Sequence, residues 1–215
     1  MNMPIPLPQN NPPRVAVLIS GSGATLQNLA DLAGRRELPI SIVCVISSRD
    51  DAYGLTRAAA LHIPTHVVPR RSCRDLDDFS TRIRDLLTGY APDLICLAGF
   101  LSLWRVPPEY EWRTMNIHPA LLPKFGGRTM HGLHVHEAVI KAGETESGCT
   151  VHFADNQYDH GPIIVQRTCP VLPGDTPATL AKRVFELECQ AYPQAIGWWA
   201  GGHLTLDDQG RVRRQ

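Results

Sequence analysis

Four short runs in the first hundred residues carry almost no polar alternation: "RVAVLIS" (14–20), "ISIVCVISS" (40–48), "PTHVVP" (64–69) and "DLICLAGF" (93–100). A strand with one wet face alternates apolar and polar residues, whereas a strand buried on both faces reads as a near-continuous β-branched run. Between the runs lie stretches with helical spacing: "ATLQNLADLAGRR" (24–36), a helix around 52–61 and the amphipathic "DLDDFSTRIRDLLTGY" (75–90). Strands alternating with helices in this way predict an α/β fold, a doubly wound and mainly parallel sheet covered on both faces.

The second half is more mixed. "GLHVHEAVIKAG" (132–143) reads as a helix closed by Gly143, and "CTVHFA" (149–154) with "PIIVQRTCPV" (162–171) as a strand pair. A long C-terminal helix follows, with Thr176 as N-cap and Pro177 at its first position. No linker or internal repeat divides the chain, so residues 14–215 are expected to form one domain. The Pro- and Asn-rich "MNMPIPLPQNNPP" (1–13) has no basic start or apolar middle and is expected to be a disordered lead-in, not a signal peptide.

Composition narrows the function classes. With a formal net charge of zero there is no excess of Lys and Arg for a broad nucleic-acid surface, and no apolar run is long enough for a membrane helix. The six cysteines are scattered without a CxxC pair, which argues against a zinc cluster or a disulfide framework. Cys44 and Cys96 lie in apolar runs, as small buried hydrophobes do. A reduced, cytoplasmic protein is expected.

Two places carry chemistry. The first is "SGSGATLQNL" (20–29), where Gly21, Ser22 and Gly23 lead from a strand into a helix. Such a turn presents backbone N–H groups at the positive end of the helix dipole and suits a phosphate. Leu26 stands where a dinucleotide fingerprint needs its third glycine, and no acidic residue closes the second strand. A phosphomonoester therefore fits better than a dinucleotide, and a ligand-free tight turn fits this loop equally well. The second place is "MNIHPALLPKF" (115–125), where Asn116 and His118 are two residues apart. On a strand they share a face, a carbonyl-polarising amide beside a titratable ring. Asp159 lies in the turn "NQYDHGPI" (156–163). Singly, each has a bland reading as a turn residue or a structural histidine. At the carboxyl ends of the strands of an open α/β sheet they would converge on a ligand site. His131, His134 and His136 do not share a helical face, so a metal site is not expected.

In order, "ISGSGATLQNL", "LAGFL", "NIHPALLPKF", "GLHVHEAV" and "YDHGPII" resemble the motifs of the folate-dependent formyltransferases, in particular the glycinamide ribonucleotide branch. The resemblance runs from about residue 14 to about residue 204. It implies a Rossmann-like formyltransferase fold and the substrates 10-formyltetrahydrofolate and glycinamide ribonucleotide, with direct formyl transfer in purine biosynthesis and no metal. It further implies Asn116, His118 and Asp159 as the catalytic trio, with Asp159 raising the pKa of His118. Gly21, Ser22, Gly23, Ala24 and Thr25 would take the phosphate, and Glu188 the ribose. Leu97, Leu101, Ser102, Leu103, Trp104, Asn156, Gln157 and Tyr158 would hold the folate. The partners implied are small molecules, neither nucleic acid nor membrane, and the protein would be a monomer or homodimer.

The chain departs from the pattern in three places. Ala24-Thr25 replaces the usual Ser-Asn, and Ser102 stands where relatives often carry a basic residue near the folate glutamate tail. The segment "FGGRTMHGLHVH" (125–136) is longer than the usual link and offers Arg128 as a substitute cation. That longer loop also leaves open another amino-sugar nucleotide or simple hydrolysis of the formylfolate. A catalytically silent nucleotide-binding module is the reading from a different class, and the intact trio argues against it.

Overall fold

A computed structural model describes residues 3–215. In its first part the strands are β1 (Met3–Pro4), β2 (Arg14–Ile19), β3 (Ser41–Ser47), β4 (Thr65–Val67), β5 (Leu94–Leu97) and β6 (Thr114–His118). They are followed by β7 (Glu146–Phe153), β8 (Ile163–Pro170), β9 (Leu204–Leu206) and β10 (Val212–Arg214). The helices are α1 (Ala24–Gly34), α2 (Tyr53–Ala60), α3 (Leu76–Tyr90), α4 (Leu133–Lys141) and α5 (Pro177–Ala200).

A seven-stranded sheet in the order β4-β3-β2-β5-β6-β7-β8 organises the molecule. Its first five strands are parallel, and β7 and β8 add antiparallel at the far edge. The doubly apolar runs explain the layering. Val15, Val17 and Ile19 of β2 join the cluster that includes Leu26 and Leu29 of α1 and Tyr192 and Ile196 of α5. The alternate residues Ala16 and Leu18 pack with Phe79, Ile83 and Leu87 of α3 on the other face. The long helix begins as its sequence predicts: the Thr176 side chain accepts from the Thr179 N–H, with Pro177 at the first position.

Two features differ from expectation. The described part of the N-terminal segment is not a disordered lead-in. Met3–Pro4 pairs with β9, Ile5 is buried, and buried Asp93 accepts from the Gln9 N–H, the Asn10 amide and the Arg14 N–H. Residues 1 and 2 of that expectation lie outside the described residues. The physical reason is Asp93, whose buried carboxylate needs donors and finds them in this segment. The second feature is a separate three-stranded sheet, β1-β9-β10, which closes the chain ends together. Among the described residues no helix is long and apolar enough to cross a membrane.

Candidate active site

Alternation along β6 sends Met115 and Ile117 into the core and turns Asn116 and His118 to the opposite face. The antiparallel register of β7 sets His152 directly across from Asn116 and Thr150 across from His118. Asp159 reaches the same point from the loop after β7, in a left-handed conformation with φ 52°. An L-residue there is uncommon, and Asp tolerates it better than most.

These groups form one network. The Asn116 Nδ2 lies 3.2 Å from the Asp159 Oδ1 and 3.0 Å from the His152 Nε2. His152 Nδ1–H donates to the Phe153 carbonyl at 2.8 Å, so its Nε2 is the acceptor for the Asn116 amide. The His118 Nε2–H donates to the Phe125 carbonyl at 2.8 Å, which leaves Nδ1 facing the Asp159 Oδ1 at 3.4 Å. The other carboxylate oxygen, Oδ2, accepts the Gly127 N–H at 2.9 Å. The 125–127 backbone thus fixes both His118 and Asp159.

The electrostatics correct one expectation. Asp159 does raise the His118 pKa, as does the Phe125 carbonyl, but burial is the larger effect and the net shift is downward. Burial pushes the Asp159 carboxyl up, yet His152, His118 and the Gly127 N–H together hold it below the usual carboxylate value. At neutral pH the site therefore pairs an ionised carboxylate with a predominantly neutral ring.

A cleft opens beside the network, bounded by Thr25, Phe100, Leu101, Glu188 and the 127–132 segment. Thr25 represents the glycine loop in this wall; Gly21 and Ser22 are exposed beside it and Ala24 begins α1. Gly23, at φ 69°, packs so closely on Gly54 that a Cβ there would come within 2.5 Å of the Gly54 Cα. The turn is held from outside as well, by Gly54 N–H on the Gly21 carbonyl and Arg57 Nε–H on the Ser22 carbonyl. Burial raises the Glu188 carboxyl to about 7. Of the three histidines in the 131–136 segment, His131 borders the cleft, His134 is exposed and His136 is buried in α4.

On the other side of Asn116 and Asp159 is a smaller space of about 50 Å³, bordered by Leu97, Ser102, Leu103, Trp104, Gln157 and Tyr158. That is room for one or two waters. Two loop-to-loop hydrogen bonds draw it shut: Leu103 N–H to the Tyr158 hydroxyl at 2.9 Å, and Val106 N–H to the Asn156 Oδ1 at 2.9 Å. The Asn156 side chain is therefore a loop clasp outside this space, and Trp104 is largely core, its indole packed beside α3. Leu101 borders the central cleft instead. Arg128 is also elsewhere than expected. It borders the central cleft with Thr25 and Glu188, whereas Ser102 borders a groove of about 510 Å³ that carries Arg49, Arg70 and Arg71.

Sequence reasoning missed His152 and the two backbone groups of Phe125 and Gly127. The signal for His152 was a titratable ring between the apolar Val151 and Phe153 near the end of a strand. Its meaning depends on the β6–β7 register, which no local pattern specifies.

Comparison with known proteins gives a consistent relationship. Residues 13–196 match the family model described as formyl transferase. Phosphoribosylglycinamide formyltransferase of Haemophilus influenzae is 38% identical over 197 residues, 91% of each chain. The trifunctional purine biosynthetic protein adenosine-3 of Drosophila pseudoobscura pseudoobscura is 43% identical over 195 residues, 89% of this chain but only 14% of that longer protein. Among solved structures, glycinamide ribonucleotide transformylase 1 from Symbiobacterium toebii superposes with a TM-score of 0.86 at 38% identity, covering 94% of this chain and 93% of that one.

Proposed function

The chain belongs to the formyl transferase family, and on that premise we propose that it passes the formyl group of 10-formyltetrahydrofolate directly to the amine of glycinamide ribonucleotide. The observation that carries this reading is the shared border: Asn116, Tyr158 and Asp159 line both the central cleft and the smaller space. Two substrates lying on either side of that border would meet at the trio. The ribonucleotide takes the cleft with Thr25 and Glu188, and the folate takes the leucine-lined side, once the loop clasp opens. Arg70, which lies over the Phe79 ring and borders the groove beside Ser102, would pair with a folate tail carboxylate.

The reaction follows from these groups. The amine nitrogen attacks the formyl carbon, forming a C–N bond and leaving a negative oxygen and a positive nitrogen. Asn116 keeps one N–H on His152 and turns the other from Asp159 to the oxygen, a donor of the kind worth about 3–4 kcal/mol in an oxyanion hole. Asp159, released from that contact, accepts the ammonium proton. His118 Nδ1 faces the same carboxylate and shares the proton, since its Nε2 is committed to the Phe125 carbonyl. The carbonyl re-forms, the bond to the folate nitrogen breaks, and the proton passes to that nitrogen. No covalent enzyme intermediate is needed.

The test follows absorbance as a 10-formylfolate analogue loses its formyl group, with the ribonucleotide present and then omitted. The expected result is turnover that requires the ribonucleotide and falls at least about a hundredfold in Asp159→Asn. Deformylation that proceeds equally without the ribonucleotide would replace transfer by hydrolysis.

A further inference from the structure

Asp159 and Glu188 bring two carboxyls to the central cleft, and the only Lys or Arg bordering it among the described residues is Arg128. A phosphomonoester entering there carries nearly two negative charges. Backbone N–H groups at the start of α1 answer part of that charge, since the first turn of a helix has no intrahelical acceptor for them. They do not outweigh a second negative wall by themselves. The upward shift of Glu188 eases the repulsion, and Asp159 stays ionised. One cation is still wanted on this side.

Arg128 has the place and the freedom to supply it. The hydrogen bonds of its loop toward the trio run through backbone, from the Phe125 carbonyl and the Gly127 N–H. The Arg128 guanidinium makes no hydrogen bond or ion pair among the described residues and is exposed at the cleft. In the neighbouring groove Arg49 pairs with Asp51 at 2.6 Å and Arg71 with Asp50 at 2.5 Å, and the third arginine there, Arg70, does not border the cleft.

We propose that Arg128 is the side chain that recognises the phosphate of the acceptor, completing from the 125–131 loop a site whose other half is the glycine turn. This rests on the ribonucleotide reading given above. It has a mechanical corollary: Gly127, the residue before it, holds Asp159, so phosphate capture steadies the loop that holds the base. Guanidinium suits this role because its fork pairs two phosphate oxygens at once.

The experiment compares two acceptors, glycinamide ribonucleotide and the phosphate-free glycinamide riboside, at saturating formylfolate. Wild type, Arg128→Ala and Arg128→Lys are each assayed for kcat/KM. The expected result is that Arg128→Ala lowers the preference for the ribonucleotide by about tenfold or more, the worth of one charge-assisted bond, and that Arg128→Lys restores part of it. A fall of equal size for both acceptors, or an unchanged preference, overturns the assignment. In parallel, ribose 5-phosphate is titrated calorimetrically into wild type and Arg128→Ala. Binding weakened about tenfold supports the proposal, and equal affinities overturn it. If wild type formylates neither acceptor, the functional reading falls, while the titration still decides the role of Arg128.

Discussion

His136 makes the protein sensitive to acid, and the size of the effect follows from its surroundings. The side chain is 4% exposed on the inner side of α4, and its Nδ1 has no hydrogen-bond partner among the described residues. Burial, with His118 adding to it, pushes its pKa down from 6.5 to about 4. A lowered value means the unfolded chain takes up a proton below about pH 6.5 that the folded chain refuses until near pH 4. Stability is therefore full above that window and lost as pH falls through it. At 1.36 kcal/mol per pH unit the loss approaches about 3 kcal/mol, a large part of the roughly 5–15 kcal/mol that holds a domain together. Urea unfolding of wild type and His136→Gln at about pH 7 and about pH 4.5 reads it out. With a urea slope of about 2–3 kcal/mol per molar for a chain of this size, the wild-type midpoint should drop roughly 1 M further than that of the variant. His118, whose shift has the same sign, titrates in both proteins, so the difference between them reports His136 together with its coupling to His118. Parallel pH slopes for the two proteins would refute the reasoning, whatever their stabilities near neutrality.

Two further outcomes are expected. His152→Leu keeps the buried volume but removes the acceptor that holds the Asn116 amide, so kcat should fall about 10- to 100-fold while thermal stability changes by less than about 2 kcal/mol; an unchanged kcat would show that His152 does not position Asn116. Asp93→Ala leaves the Gln9 and Arg14 N–H groups and the Asn10 amide without their common acceptor and should cost about 2–4 kcal/mol in a denaturant melt, with protease cleavage appearing within residues 3–13. Retention of both stability and protease resistance would contradict the anchoring role of Asp93.

What the sequence made legible was whatever depends on local pattern. The continuous apolar runs around Val17, Val45 and Ile95 require burial on both faces, and the observed clusters on either side of β2 supply it. The N-cap at Thr176 and the close of α4 before Gly143 are likewise written in a few adjacent residues. Asn116 and His118 were legible as a pair because strand geometry alone puts them on one face. What escaped depends on pairing across the chain. Nothing near Met3 shows that it lies beside Leu206, 203 positions away in the sequence, and β9 and β10 are three residues each, too short for a periodic signal. The partner of Asn116 was hidden for the same reason, since His152 becomes its neighbour only through an antiparallel register. Asp159 does raise the His118 pKa as expected, but the net shift is downward, because a sequence lists the neighbouring carboxylate and not the depth at which the ring is buried.

The grip of the 125–127 backbone on His118 and Asp159 bears on how this chain can vary. Gly127 must stay glycine, since its φ of 107° strains any L side chain, but a carbonyl belongs to every residue, so the identity of Phe125 is not what the grip requires. The spacing is: one residue lost or gained between Pro123 and Gly127 would shift both contacts at once. Drift by substitution is thus buffered at Phe125 but not at Gly126 or Gly127, drift by insertion or deletion is buffered nowhere, and loop length behaves here as an inherited trait of the reaction centre.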